Sequence, residues 1–134
     1  IWHDAKNALE KSLQNVKFIR APAEFLDRIF GEGELAHIWL TFPTPVYYKP
    51  QKMLAAPNFL KQYRKILSPG GFLHLQTDVG ILFDYACKNW PRCGFQIVDK
   101  PGSSLKGVPT QGPFGRKSEG EGRQTRSLCA IPIP

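Results

Sequence analysis

The sequence predicts an α/β fold: a mainly parallel sheet with helices on both faces. Helix-like and strand-like segments alternate in the order αβαβαβαβ and then β, an order that right-handed crossovers convert into parallel strands. Ile38-Trp39-Leu40 is a continuous apolar run, as expected of a strand covered on both sides. A length of 134 residues with 42% apolar content supports one domain whose core needs no disulfide or metal staples.

Each element has its own signal. Trp2, Ala5, Ala8, Leu9 and Leu13 share one face of a helix over residues 1–14, with Asn15 as its terminator. Residues 16–20 alternate like a strand. Pro22 opens a short helix through Phe25, Leu26, Ile29 and Phe30, which Gly31 and Gly33 end. Residues 35–42 form a second strand, and residues 43–50 a rigid aromatic loop. Pro57 restarts a helix in which Phe59, Leu60, Tyr63, Ile66 and Leu67 fall on one face, while Lys61, Arg64 and Lys65 take the wetter side. Ser68-Pro69-Gly70-Gly71 stops it. A strand over 72–77, a helix over 79–90 and a strand at 95–98 follow.

From residue 101 to 127 about half of the residues are Gly, Pro or Ser, the composition of a flexible loop. The organisation is therefore one domain: an α/β core over 1–99, a flexible basic loop over 100–127 and a last strand within 128–134, which Pro132 and Pro134 confine to an edge or a terminus. Arg116, Lys117, Arg123 and Arg126 make the loop either an RNA-binding arm or an unstructured insertion.

Composition excludes several classes. No apolar run approaches the roughly 20 residues that span a bilayer, so no membrane partner is expected. Cys87, Cys93 and Cys129 cannot all pair internally, Cys87 and Cys93 lack zinc-ligand spacing, and reduced thiols in the cytoplasm are the plain reading. His3, His37 and His74 lack metal-ligand spacing too. The 18 Lys and Arg against 11 Asp and Glu give a charge of +7, which points toward a polyanionic partner.

Open parallel sheets bind ligands at the carboxyl ends of their strands. Two such ends carry unusual residues. Thr41-Phe42-Pro43-Thr44-Pro45 is either a stiff wall that stacks a planar ring or a plain structural turn. Thr77-Asp78 ends the next strand, where Asp78 either caps the following helix or faces a ligand. Tyr47, Tyr48 and Lys49 could stack on and clamp RNA, or cover the surface.

Ile38-Trp39-Leu40-Thr41-Phe42-Pro43-Thr44-Pro45, Pro57-Asn58-Phe59-Leu60, Tyr63-Arg64-Lys65-Ile66-Leu67-Ser68-Pro69-Gly70-Gly71 and His74-Leu75-Gln76-Thr77-Asp78 occur in this order. Together they resemble the tRNA (guanine-N7)-methyltransferases. The resemblance implies a Rossmann-like class I methyltransferase domain, S-adenosylmethionine as cofactor and tRNA as partner. It assigns Phe42, Pro43 and Pro45 to the cofactor and Lys49, Thr77 and Asp78 to the substrate. It assigns no catalytic base, since guanine N7 already presents a lone pair and has only to be held in line with the methyl group. A nearby carboxylate would stabilise the charge that moves onto the base.

The chain also departs from the family. Its Gly-rich cofactor loop and acidic ribose-binding residue lie upstream of the part that Ile1 onward resembles, implying a domain without its first strands. Thr44 replaces an acid of the family's Phe-Pro-Asp-Pro, Pro22 another acid near the adenine, and the basic run is reduced to Lys49 and Lys52. Phe114-Gly115 stands where the family has Thr-x-Phe/Tyr-Glu for the guanosine. The alternatives are a non-catalytic RNA-binding relic and a methyltransferase with another substrate. In the class I sheet order 3-2-1-4-5-7-6, residues 16–20 would be the third strand and 35–42 the fourth. Residues 16–20 would then either move beside 35–42 or be loosely held, and 95–98 would pair antiparallel with 128–131.

Overall fold

A computed structural model of the protein describes residues 2–98 and 125–134. Helix α1 (Trp2–Glu10) is followed, after a 3-10 turn, by the four-residue helix α2 (Leu26–Ile29). Strand β1 (Leu35–Thr41), helix α3 (Pro57–Ile66), strand β2 (Leu67–Thr77), helix α4 (Gly80–Asn89) and strand β3 (Phe95–Val98) succeed one another, and β4 (Arg126–Pro132) comes last. The segment expected as a flexible basic loop, with Phe114, Arg116, Lys117 and Arg123, lies almost wholly outside the described residues. Arg126 lies in β4, which begins two residues before the expected strand.

The sheet runs β1-β2-β4-β3. β1 pairs parallel to β2, with Trp39 opposite His74 and Thr41 opposite Gln76. β4 pairs antiparallel to β2 and to β3, as expected for 95–98 and 128–131. Three strands therefore share one direction, and the mainly parallel expectation holds for direction. Two of the three neighbour pairings are nevertheless antiparallel, because the reversed β4 lies between β2 and β3.

Register places Leu40, Leu75 and Leu128 in one row and Leu73 beside Ala130, all on one face. They form a core with Phe59, Leu60 and Tyr63 of α3 and Leu82 and Ala86 of α4, closed by Trp90 and Phe95. This face holds both long helices that follow a strand. The α3 pattern matches expectation except at Leu67, which opens β2: Pro57 lies in its first turn, Phe59, Leu60, Tyr63 and Ile66 are buried, and Lys61, Arg64 and Lys65 are exposed. The Tyr63 hydroxyl donates to the Leu54 carbonyl at 2.8 Å, which satisfies the polar end of a fully buried ring.

Three local expectations are corrected. Residues 16–20 form no strand; Val16, Phe18 and Ile19 are exposed, and β1 is an edge of the sheet without them. Alternation supplies a pattern, but a strand needs a neighbour to take its backbone hydrogen bonds. α1 ends at Glu10 instead of Gln14, and Ser12 takes a left-handed φ of 55°. Ser68-Pro69-Gly70-Gly71 ends α3 but belongs to β2: register jumps from Leu35 opposite Leu67 to His37 opposite Phe72, so these four residues bulge from the strand. Gly71 sits where a Cβ would lie 2.9 Å from the Ser68 carbonyl oxygen and 3.1 Å from that of Ala36.

The chain end is tied back to α3. Arg64 Nη2 donates to the Ile133 carbonyl at 2.6 Å, and the Ile133 N–H donates to the Gly94 carbonyl at 2.8 Å. Gly94, at φ 86°, makes the turn into β3.

Candidate functional site

The two strand ends singled out in the sequence are neighbours. Thr41 opposite Gln76 is the last pair of the parallel ladder, and the next N–H, that of Phe42, donates to the Gln76 carbonyl at 2.7 Å. Phe42 adopts φ 47°. A non-glycine residue there is strained by on the order of 1–3 kcal/mol, and the following proline narrows its choices further. The hydrogen bond to Gln76 helps hold this conformation. Pro43 is buried, Phe42 and Pro45 are half-buried, and Thr44 is exposed. The Phe42-Pro43-Thr44-Pro45 turn is thus a fixed wall beside the end of β2.

Thr77 is buried, and its hydroxyl oxygen accepts the Val79 N–H at 3.1 Å. That bond shapes the entry into α4, whose N-cap residue is Val79. Asp78, half-buried, stands between the two at the carboxyl end of β2. Phe42, Pro43, Pro45, Thr77 and Asp78 therefore lie at the ends of two adjacent parallel strands. Lys49 lies further along the loop that follows β1. It is exposed beyond Tyr47 and Tyr48, which are 60% and 82% exposed, and its N–H donates to the Val46 carbonyl at 3.2 Å within the loop. Lys52 follows in an exposed 3-10 turn. The aromatic loop is thus an open platform with a cationic end.

A second cluster, to which sequence reasoning assigned no role, occupies the sheet face opposite the core. Alternation along β1, β2 and β4 puts His37, Trp39, Phe72, His74, Gln76, Ser127 and Cys129 on that face. The Trp39 and His74 rings stack with centroids 3.9 Å apart and planes 8° from parallel. His37 stacks on Phe72 at 5.3 Å, and His37 Nδ1 lies 3.1 Å from His74 Nε2. Burial, and then the neighbouring His37, push the His74 pKa down to about 4. Burial likewise lifts the Cys129 thiol to about 11. At neutral pH both groups are uncharged. A cavity of about 220 Å³ opens against Trp39, His74, Gln76, Phe83, Ser127 and Cys129. One signal of this cluster was legible: His74 and Gln76 alternate with Leu73, Leu75 and Thr77, which marks a strand carrying polar groups on its second face.

Among the described residues, no group of three or more His, Cys, Asp or Glu could hold a metal ion, and no helix is long and apolar enough to cross a membrane.

The model of a family described as "Putative methyltransferase" matches residues 2–119. A Porphyromonas gingivalis protein named tRNA (guanine-N(7)-)-methyltransferase is 46% identical over 85 residues, covering 63% of this chain and 35% of that protein. A Bacillus subtilis protein of the same name is 31% identical over 104 residues, covering 73% of this chain and 49% of its own length. The chain thus spans about a third to a half of these relatives. Among solved structures, the [4+2]-cyclase SpnF matches with a TM-score of 0.60 at 16% identity, covering 97% of this chain and 61% of that one, a likeness of fold.

Proposed function

The chain belongs to this methyltransferase family, and from that premise we propose that it serves methyl transfer from S-adenosylmethionine to guanine N7 of tRNA. The architecture is that of a class I methyltransferase fold, with β1, β2, β4 and β3 as its consecutive strands. The observation that carries the reading is the Phe42 N–H bonded to the Gln76 carbonyl at 2.7 Å, which locks the cofactor-type turn against the strand end that bears Asp78.

The residues present suit the cofactor's flat adenosyl part. Buried Pro43 backs the turn, and the half-buried Phe42 and Pro45 leave apolar faces beside the end of β1. Phe42, Pro43 and Pro45 would hold it. When bound, S-adenosylmethionine supplies an electrophilic methyl group. Thr77 shapes the turn that presents Asp78 to the acceptor base. The Asp78 carboxylate stabilises the positive charge that the base gains, without taking a proton from it. Lys49 and Lys52, beside the exposed Tyr47 and Tyr48, meet tRNA phosphates while the rings stack on unpaired bases. This work belongs in the cytoplasm, in keeping with three free cysteines.

The test is transfer of a labelled methyl group to tRNA, followed by chemical scission of the strand at N7-methylguanine. Label at guanine N7, reduced about a hundredfold by Asp78→Asn with unchanged tRNA affinity, is expected. Label on another atom would identify a methyltransferase with a different acceptor. tRNA binding without transfer would leave an RNA-binding domain in place of an enzyme.

A further inference from the structure

The cavity that extends from Trp39, His74 and Gln76 to Phe83 of α4 has the features of a built site. Gln76 is 2% exposed and lines it, yet its side-chain amide forms no hydrogen bond among the described residues. Its amide atoms are not among the fully buried atoms that lack a partner, so they reach the open space of the cavity, where donor and acceptor together suit a complementary edge. Trp39 offers a flat wall, held in place by its stack on His74 at 3.9 Å. The Ser127 hydroxyl and Cys129 thiol border the same space.

Three properties define what it would take. The described lining contains no Lys, Arg, Asp or Glu, and the one cation against it, Arg126, lies over the Phe83 ring at 5.7 Å, so an uncharged group suits the lining itself. At about 220 Å³ the cavity falls below the roughly 300–1,000 Å³ that hold drug-sized ligands, so it takes one ring system and leaves any sugar or phosphate outside. An amide presents one donor and one acceptor side by side, the complement of a nucleobase edge such as O6 and N1–H of guanine or N7 and the amino group of adenine.

We infer that this cavity binds a single uncharged nucleobase, stacked against Trp39 and held along its edge by the Gln76 amide. Gln76 would then serve two places at once, since its carbonyl holds Phe42 while its side chain holds the base. The inference does not rest on the methyl-transfer reading, because it needs no cofactor.

The experiment is an NMR titration of the whole chain with guanosine, and in parallel with adenosine and with ribose, all without S-adenosylmethionine. Saturable shifts of the Trp39 indole and His74 ring signals are expected with the nucleosides, at a Kd on the order of 1 mM, with the His3 signals unmoved. Ribose should shift neither. Gln76→Leu should weaken nucleoside binding by about tenfold, the loss expected when one well-placed pair of hydrogen bonds is removed. Absence of saturation at any nucleoside concentration, equal shifts with ribose, or unchanged affinity in Gln76→Leu would each overturn the site. If Gln76→Leu does not fold, the shifts at Trp39 and His74 of the unaltered chain decide the question. A failed methyl-transfer assay leaves this result standing.

Discussion

His37 Nδ1 faces His74 Nε2 across 3.1 Å, so one ring donates and the other accepts, and the two facing nitrogens cannot both carry protons. The bond joins β1 to β2 on the face opposite the core, with Trp39 and Phe72 stacked around it. Its integrity depends on the charge state of His74.

The His74 pKa lies near 4, below its ordinary 6.5, because burial and then His37 disfavour the charged ring. The unfolded chain therefore binds this proton first as pH falls. The stability at stake is fully present above about pH 6.5 and is lost progressively down to about pH 4, below which it levels off. The full loss should amount to about 3 kcal/mol at 1.36 kcal/mol per pKa unit. Urea midpoints at pH 7.5 and pH 4.5, compared between the natural chain and His74→Phe, will show it. A pH dependence as steep in His74→Phe would place the effect elsewhere.

Gly71→Ala is expected to destabilise the chain by about 2 kcal/mol, in the range of substitutions that overpack a closed space. The added methyl would meet two backbone carbonyl oxygens, 2.9 and 3.1 Å away, neither of which can rotate aside. Gly70→Ala controls for the site: nothing lies within 4 Å of its Cβ, and only its φ of 77° strains an alanine. Thermal melts should rank Gly71→Ala below Gly70→Ala.

Lys49→Ala and Lys52→Ala should each reduce the salt dependence of tRNA binding. Removing one cation that meets a phosphate lowers the slope of log K against log salt by about one. Filter binding from 50 to 300 mM salt measures this. An unchanged slope in both variants would show that the loop does not touch the phosphates.

Hydrogen exchange should be slow in residues 38–41 and 72–76 and fast in residues 16–20. The first two segments pair with each other along the parallel ladder of β1 and β2, while the third has no strand beside it. Equal protection in all three would mean that 16–20 joins the sheet in solution.

The pattern of success and failure in reading the sequence has one physical cause. α3 was legible because Phe59, Tyr63 and Ile66 repeat with the helical period, and a helix satisfies most of its own hydrogen bonds. Residues 16–20 alternate as well as any strand, but a strand requires a partner that periodicity cannot supply. The same holds for the site. Phe42 and Asp78 could be placed at strand ends from the turns that follow them. That Phe42 adopts φ 47° and bonds to Gln76 depends on how two strands lie side by side. Trp39 and His74 escaped notice as a pair because 35 positions separate them and only the parallel register brings them face to face.

The placement of β4 has a consequence for the order of assembly. β2 and β3 precede it in sequence, yet neither bonds to the other, and the two lie about 9–10 Å apart, two strand spacings. During synthesis the gap between them stays open until residues 126–132 emerge and fill it. Most of the domain must therefore wait, with Leu73, Leu75 and Phe95 only partly covered, for a strand that arrives late. Such a chain is exposed to association with its neighbours for longest just before it closes. Shortening it by seven residues from its C-terminal end would remove Leu128 to Pro134, and with them nearly all of the bridge that joins β3 to the rest of the sheet.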